Sequence, residues 1–225
     1  MKIIEPSYTI LRPCALDAVA RKDALHAVAG AARTCYKSTG TDDATLVAQL
    51  VRSGHEAMLE HYGLTVRFVV DRGVSHEIVR HRIASYAQES TRYCNYGKDK
   101  FDGQISVICP ARFEAHSEAR LMWEKICALC EEVYRGMVYN GTPPELARSV
   151  LPHALATELV MTANLREWRH FLALRAVGTT GKPHPQIQQV ALPLLRELAA
   201  WLPEVFGDLA QALDAAQRGD SPAHE

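Results

Sequence analysis

A chain of 225 residues, 48% of them hydrophobic, is long enough to bury a sizeable core. With 25 basic against 26 acidic residues it lacks the cationic excess of a protein that grips a nucleic-acid backbone in bulk. No stretch approaches the ~20 apolar residues that cross a bilayer, and Met1-Lys2-Ile3-Ile4-Glu5-Pro6 has no apolar signal-peptide region. The expectation is therefore a cytoplasmic protein that partners neither membrane nor nucleic acid, with its six cysteines reduced.

In chain order, the Ala-rich stretch from Asp23 to about Tyr36 predicts a helix. A second helix is capped by Thr41 or Asp42, carries Leu46, Val47, Leu50 and Val51 on one face, and stops at Gly54. The alternation Leu64 to Val70 predicts a strand, and Asp71 is placed to cap a short helix running towards Arg80. Glu114 to about Tyr139 reads as a long helix whose apolar stripe is Ile126, Leu129, Cys130, Val133 and Met137. Cys127 and Cys130 within it form a C-x-x-C with no second pair to complete a zinc set, so they are assigned to packing.

Thr142-Pro143-Pro144-Glu145 opens a short helix. Ala156 to Thr162 predicts a strand. Asn164 N-caps a helix to Arg175, with Glu167 three residues on. Gly178 to Pro185 is a loop. From Gln186 a helical stripe of Ile187, Val190, Leu194 and Leu198 follows, with Pro193 predicted to kink it or restart it. The expected class is α+β: one helix-rich domain over 1–217, a small mixed or antiparallel sheet, long C-terminal helices, and a disordered tail at 218–225. No Gly-rich dinucleotide or Walker-type loop occurs.

The stretch Arg80 to Tyr93 is chemically unusual. Apart from Ile83, Ala84 and Ala87, every residue in it is charged, hydroxylic, amide or imidazole. From Arg72 to Arg92 four arginines stand against two glutamates. Guanidinium forks with Ser, Thr and Gln suit a nucleotide phosphate; a structural network of ion pairs is the other reading. Zinc hydrolysis does not fit, and no metal is expected. His55 and His61 lie roughly 240° apart around a helix and His76 and His81 roughly 140°, so neither pair shares a face.

Arg80-His81-Arg82-x-x-Ser85 followed by Ser90-x-Arg92 resembles the R-H-R-x-x-S-x-N-x-x-S-x-R signature of the flavin-dependent thymidylate synthases. Gly54-His55-Glu56 with Leu59-Glu60-His61, Ala147-Arg148-x-Val150-Leu151-Pro152, and Asn164 with Phe171-Leu172-Ala173-Leu174-Arg175 resemble further blocks of that family, in the same order, and Ile187-Gln188-Gln189 fits the helix after them. Ala87 replaces the signature Asn, and Ala57 stands where a hydroxyl is frequent. The resemblance implies the thymidylate synthase-complementing-protein fold and methylation of dUMP, with FAD as cofactor and NADPH and methylenetetrahydrofolate as co-substrates. It also implies a homotetramer with sites shared between subunits.

By the same resemblance His55, Arg80, His81, Arg82, Gln88, Asn164 and His170 hold FAD. Glu77, Arg80, Gln88, Glu89, Ser90, Thr91, Arg92, Arg148 and Arg175 hold the nucleotide, and Arg175 is catalytic. For Arg148 the alternative is an ion pair with Glu145 or Glu158; for Arg175 it is a helix C-cap. The Pro-Cys-His nucleophile of the flavin-independent enzymes is absent. The rival function is a non-catalytic nucleotide- or RNA-binding module using the Arg/Tyr-rich segment 80–93.

Overall fold

The computed structural model describes residues 1–37, 39, 40 and 42–218. Thr41 and the expected tail beyond Arg218 lie outside them. The described chain is α+β, with two compact units. One comprises Met1–Ser7, Phe68–Arg80 and Tyr86–Val160; the other comprises Tyr8–Arg67, His81–Ser85 and the chain from Met161 onward.

In the first unit β1 (Lys2–Ile4) pairs in parallel with β5 (Ser106–Ile108), Lys2 opposite Ser106 and Ile4 opposite Ile108. The short helix α3 (Arg72–Ile78) starts where expected: Asp71 Oδ1 accepts from the Val74 amide at 2.9 Å. The long helix α4 (Glu118–Tyr139) begins four residues later than its periodicity predicts, because Ser117 supplies the cap. Its buried residues are Cys127, Glu131 and Tyr134. The predicted stripe lies elsewhere: Ile126, Leu129 and Val133 are 52%, 49% and 41% exposed. Cys127 is packed as a free thiol in a core with Tyr96, Ile105, Val107, Tyr134 and Leu155. Helix α5 (Pro144–Ala147) follows, opened by proline at its first turn.

In the second unit α1 (Ala18–Tyr36) starts five residues before the predicted point, where Asp17 Oδ1 accepts from the Ala20 amide. Asp42 caps α2 (Asp43–Arg52) through the Thr45 amide. Asn164 caps α6 (Leu165–Leu172) through the Glu167 amide at 2.9 Å. Helix α7 (Pro185–Trp201) runs unbroken through Pro193, since the buried Val190, Ala191, Leu194, Leu195 and Leu198 anchor both sides of the proline. It packs on α8 (Pro203–Arg218). Arg169 is buried and binds Asp208 through both oxygens at 2.7 and 2.8 Å and Glu56 at 2.9 Å, tying α6 to α8 and to the 3₁₀ turn Glu56–His61. Such a pair is tolerable when buried only because the fork is filled.

The remaining strands are β2 (Ser7–Arg12), β3 (Gly63–Asp71), β4 (Ala84–Gln88) and β6 (Ala156–Asn164), in sheet order β2-β3-β6-β4. Leu64, Val66, Phe68 and Val70 alternate into the core along β3 as their period of two requires.

Candidate active site

The Arg80-His81-Arg82 triplet alternates: both arginines are exposed, while His81 is buried. In the second unit Arg175 Nε donates to His81 Nε2 at 3.3 Å, and His81 Nδ1 lies 3.2 Å from Glu167 Oε1. A guanidinium is only ever a donor. Nε2 must therefore carry the lone pair, and the proton of the neutral ring sits on Nδ1, aimed at the carboxylate. Burial first, then the charge of Arg175 and of His170, pushes His81 down to about 4. Burial also pushes Glu167 up. The ring is packed edge-on against Phe171 at 5.0 Å and His170 at 5.4 Å.

Arg175 does not end an α-helix. It lies in a π turn, Ala173–Val177, that continues α6 and closes on Gly178 at φ 87°, whose amide donates to Ala173 O at 2.8 Å. π turns displace the side-chain register of a helix and recur at functional sites. The predicted helical continuation to Arg175 is thus correct in extent and wrong in pitch.

Ligand atoms of His81, Glu167 and His170 lie within 4.8 Å of one another. This set suits a metal poorly, since Arg175 occupies one imidazole nitrogen and places a fixed positive charge against the same ring. Beside it lies a cavity of about 540 Å³ lined by Glu60, Ile83, Asn164, Arg166, Glu167 and His170. Arg166 pairs there with Glu60 at 2.6 Å. His55 is exposed and makes no side-chain capping bond at the 3₁₀ turn.

In the first unit the segment after β4 is held by hydrogen bonds. Gln88 Nε2 donates to Ser75 Oγ at 3.0 Å and to Thr157 Oγ1 at 3.3 Å. Glu89 accepts from Tyr96 Oη at 2.6 Å, and its carbonyl accepts from Arg72 Nη2 at 3.0 Å. The Arg92 amide donates to Ser90 Oγ, and the Arg92 side chain makes an exposed pair with Glu145 at 3.1 Å. Arg148 pairs with neither Glu145 nor Glu158; its Nη1 donates to the buried Thr91 hydroxyl at 3.2 Å.

A pocket of about 270 Å³ is lined by Arg72, His76, Thr91, Arg148 and His153. The buried Arg72 Nε has no hydrogen-bond partner among the described residues. Arg80 is exposed and Glu77 half-buried at the end of α3. Sequence reasoning missed Arg72, His76 and His153 as pocket residues, and it saw Glu167 only as part of a helix cap.

The fold is shared with the UMP/dUMP methylase PolB from Streptomyces cacaoi, solved with 5-Br dUMP, which superposes with a TM-score of 0.73 over 96% of this chain and 97% of that one, at 21% identity. The model of the thymidylate synthase complementing protein family matches residues 18–204. The flavin-dependent thymidylate synthase of Geobacter sulfurreducens is 35% identical over 81% of this chain and 80% of its own. That of Mycobacteroides abscessus is 30% identical over 85% and 83%. The chain belongs to the thymidylate synthase complementing protein family, the flavin-dependent thymidylate synthases.

Proposed function

We propose that this chain is an FAD-dependent thymidylate synthase, converting dUMP to dTMP with methylenetetrahydrofolate as carbon donor and NADPH as the source of reducing equivalents. The observation that carries the reading is the hydrogen bond between Arg175 and His81, which joins the downstream block to the R-H-R triplet across 94 residues of sequence.

Around the cavity of about 540 Å³, Asn164 and His170 offer amide and imidazole groups suited to the polar edges of a flavin, while Arg166 and Arg169 are paired with the carboxylates Glu60 and Glu56 of the same lining. The family resemblance also assigns His55, Arg80, Arg82 and Gln88 to FAD. Both ring nitrogens of His81 are engaged within the protein, so its part in that set runs through Arg175. When bound, the flavin supplies the hydride that completes the methyl group.

The protein's own task is placement and charge. Arg175 sets a cation beside the uracil ring, favouring the electron-rich form that takes up a carbon at C5. Ser90, Thr91, Arg92 and Arg148 receive the phosphate; Thr91 and Arg148 line the pocket of about 270 Å³ together with Arg72. Glu77, Arg80, Gln88 and Glu89 border the nucleotide. The chain works as a homotetramer with sites shared between subunits, for which the exposed apolar stripe of α4 offers a surface. Among the described residues no helix is long and apolar enough to cross a membrane.

The test is a flavin absorbance band on the purified protein, followed by an assay with dUMP, methylenetetrahydrofolate, FAD and NADPH. UMP is run in parallel. Formation of dTMP with tetrahydrofolate as the folate product supports the reading, because the folate then gives up only its carbon. Stoichiometric dihydrofolate refutes the mechanism. A colourless protein that ignores saturating FAD and binds RNA through segment 80–93 refutes the enzyme.

A further inference from the structure

We propose that Glu167 and His81 form a fixed relay that orients Arg175, which makes Glu167 a positioning residue for the reaction. The inference rests on the reading of Arg175 as the uracil-facing cation. Glu167 is on the first turn of α6, where a capping-box acid would bend back to the cap residue's own amide. It does not: its backbone amide serves Asn164, while its side chain turns inward, and its one hydrogen bond among the described residues goes to His81. Its side chain is 8% exposed and that of His81 3%.

A carboxylate removed from water needs a partner to be retained. The partner here is a ring whose opposite nitrogen holds the guanidinium. Two consequences follow. With Nδ1–H committed to Glu167, the imidazole presents only a lone pair to Arg175, and the ring cannot flip without losing both bonds. Arg175 is held by its Nε, so the plane of its guanidinium is tied to a ring that is itself fixed. The π turn places Arg175 on this ring, and Phe171 and His170 wall the ring from its edges. The device sets the direction of one charge and adds no group to the chemistry, as supporting hydrogen bonds do in other preorganised sites.

The experiment has two arms. On the purified flavin-free protein, ¹⁵N NMR of the histidine rings, with His81 assigned by the variant His81→Gln, should show His81 protonated at Nδ1 and bare at Nε2. An Nε2–H ring overturns the relay whatever the activity. In the second arm kcat and KM for dUMP are measured for Glu167→Leu, Glu167→Gln, Arg175→Ala and the double variant Glu167→Leu/Arg175→Ala, each checked by its melting curve.

Misdirecting the cation should cost about 10- to 100-fold in kcat for Glu167→Leu, with KM within about threefold. Glu167→Gln, which keeps a carbonyl acceptor, should recover most of that loss. The double variant should be no slower than Arg175→Ala, because Glu167 acts only through Arg175. Losses that multiply in the double variant overturn the relay and leave the catalytic reading of Arg175 standing. Wild-type turnover of Arg175→Ala overturns that reading and the relay with it. If Glu167→Leu fails to fold, the Gln variant and the tautomer still decide, since Glu167→Gln as slow as Arg175→Ala counts against the relay.

Discussion

At the scale of single residues, the second unit commits one charge and one tautomer to one purpose. Arg175 is held beside a histidine that cannot compete for its charge, because that histidine is neutral across the physiological range. Replacing Arg175 by Ala should reduce turnover on the order of 10² to 10³, the usual loss when one preorganised contact to developing charge is removed. The melting curve should stay close to wild type, and steady-state kinetics with a circular-dichroism melt would check both.

His81 itself leaves a signature in stability. Its pKa falls from 6.5 to about 4 in the folded chain, so the unfolded chain binds more protons between those values and acid favours unfolding. The stability of the neutral ring is fully present above about pH 6.5 and is lost as the pH falls to about 4, on the order of 3 kcal/mol in all. Glu167, raised by burial, works in the opposite direction and offsets part of this loss. Denaturant unfolding from pH 7 to 4 should therefore show wild type losing ground to His81→Gln. Parallel stability curves would mean that the folded ring titrates normally.

At the scale of elements, the caps were the most legible features. Asp42, offered with Thr41 as a cap, and Asp71 and Asn164 each cap the helix they were expected to open, because a cap is settled by residues within one turn. Periodicity located α4 but not which of its faces is buried, since a 3.6-residue period marks an apolar stripe without saying what covers it. The strands β1, β2, β4 and β5 went unseen; β1 and β5, three residues each and paired across about a hundred residues of chain, carry no local pattern. The π turn was equally hidden, because one extra residue in a helical turn leaves the composition unchanged.

What shows that the turn is specified is Gly178, at φ 87°, where an added Cβ would stand 2.7 Å from Pro183 Cδ and 2.9 Å from the Gly181 carbonyl. Gly54 has φ 73° and nothing within 4 Å of its added Cβ. Gly54→Ala should cost only the backbone preference, about 1 kcal/mol. Gly178→Ala adds a clash with a ring and a backbone oxygen and should cost about 3 kcal/mol or more, a drop of roughly 6–12 °C in Tm at this chain length. Because Gly178 closes the turn that carries Arg175, turnover should fall with it, while Gly54→Ala keeps its rate. Equal melting temperatures for the two variants would show that the loop after the π turn yields without resistance.

At the scale of the molecule, the family blocks were readable because each is a short run of chemically demanding residues, whereas their meeting was not. Nothing local to His81 announces Glu167, 86 positions away. The same limit applies beyond one chain, and it bears on α4. Met122, Ile126, Leu129 and Val133 recur at helical spacing and are between 41% and 65% exposed. An apolar stripe of that length standing in water marks a contact surface, and the proposed homotetramer would seat another copy of this chain on it. The opposite demand, that α4 hold its own unit together, is met by Cys127, Glu131 and Tyr134. The two roles are therefore separable by mutation. Ile126→Lys with Leu129→Glu should leave the single chain folded, with a near-native circular-dichroism spectrum, since neither side chain is in the core. Light scattering should then fall from four times the 25.0 kDa chain to a dimer or monomer. If the sites are shared between subunits as proposed, activity should fall with the mass. It should return in part at high protein concentration, as mass action requires. A variant that remains tetrameric would assign the stripe to something other than assembly. One that dissociates yet keeps full activity at every concentration would show that each chain carries a complete site.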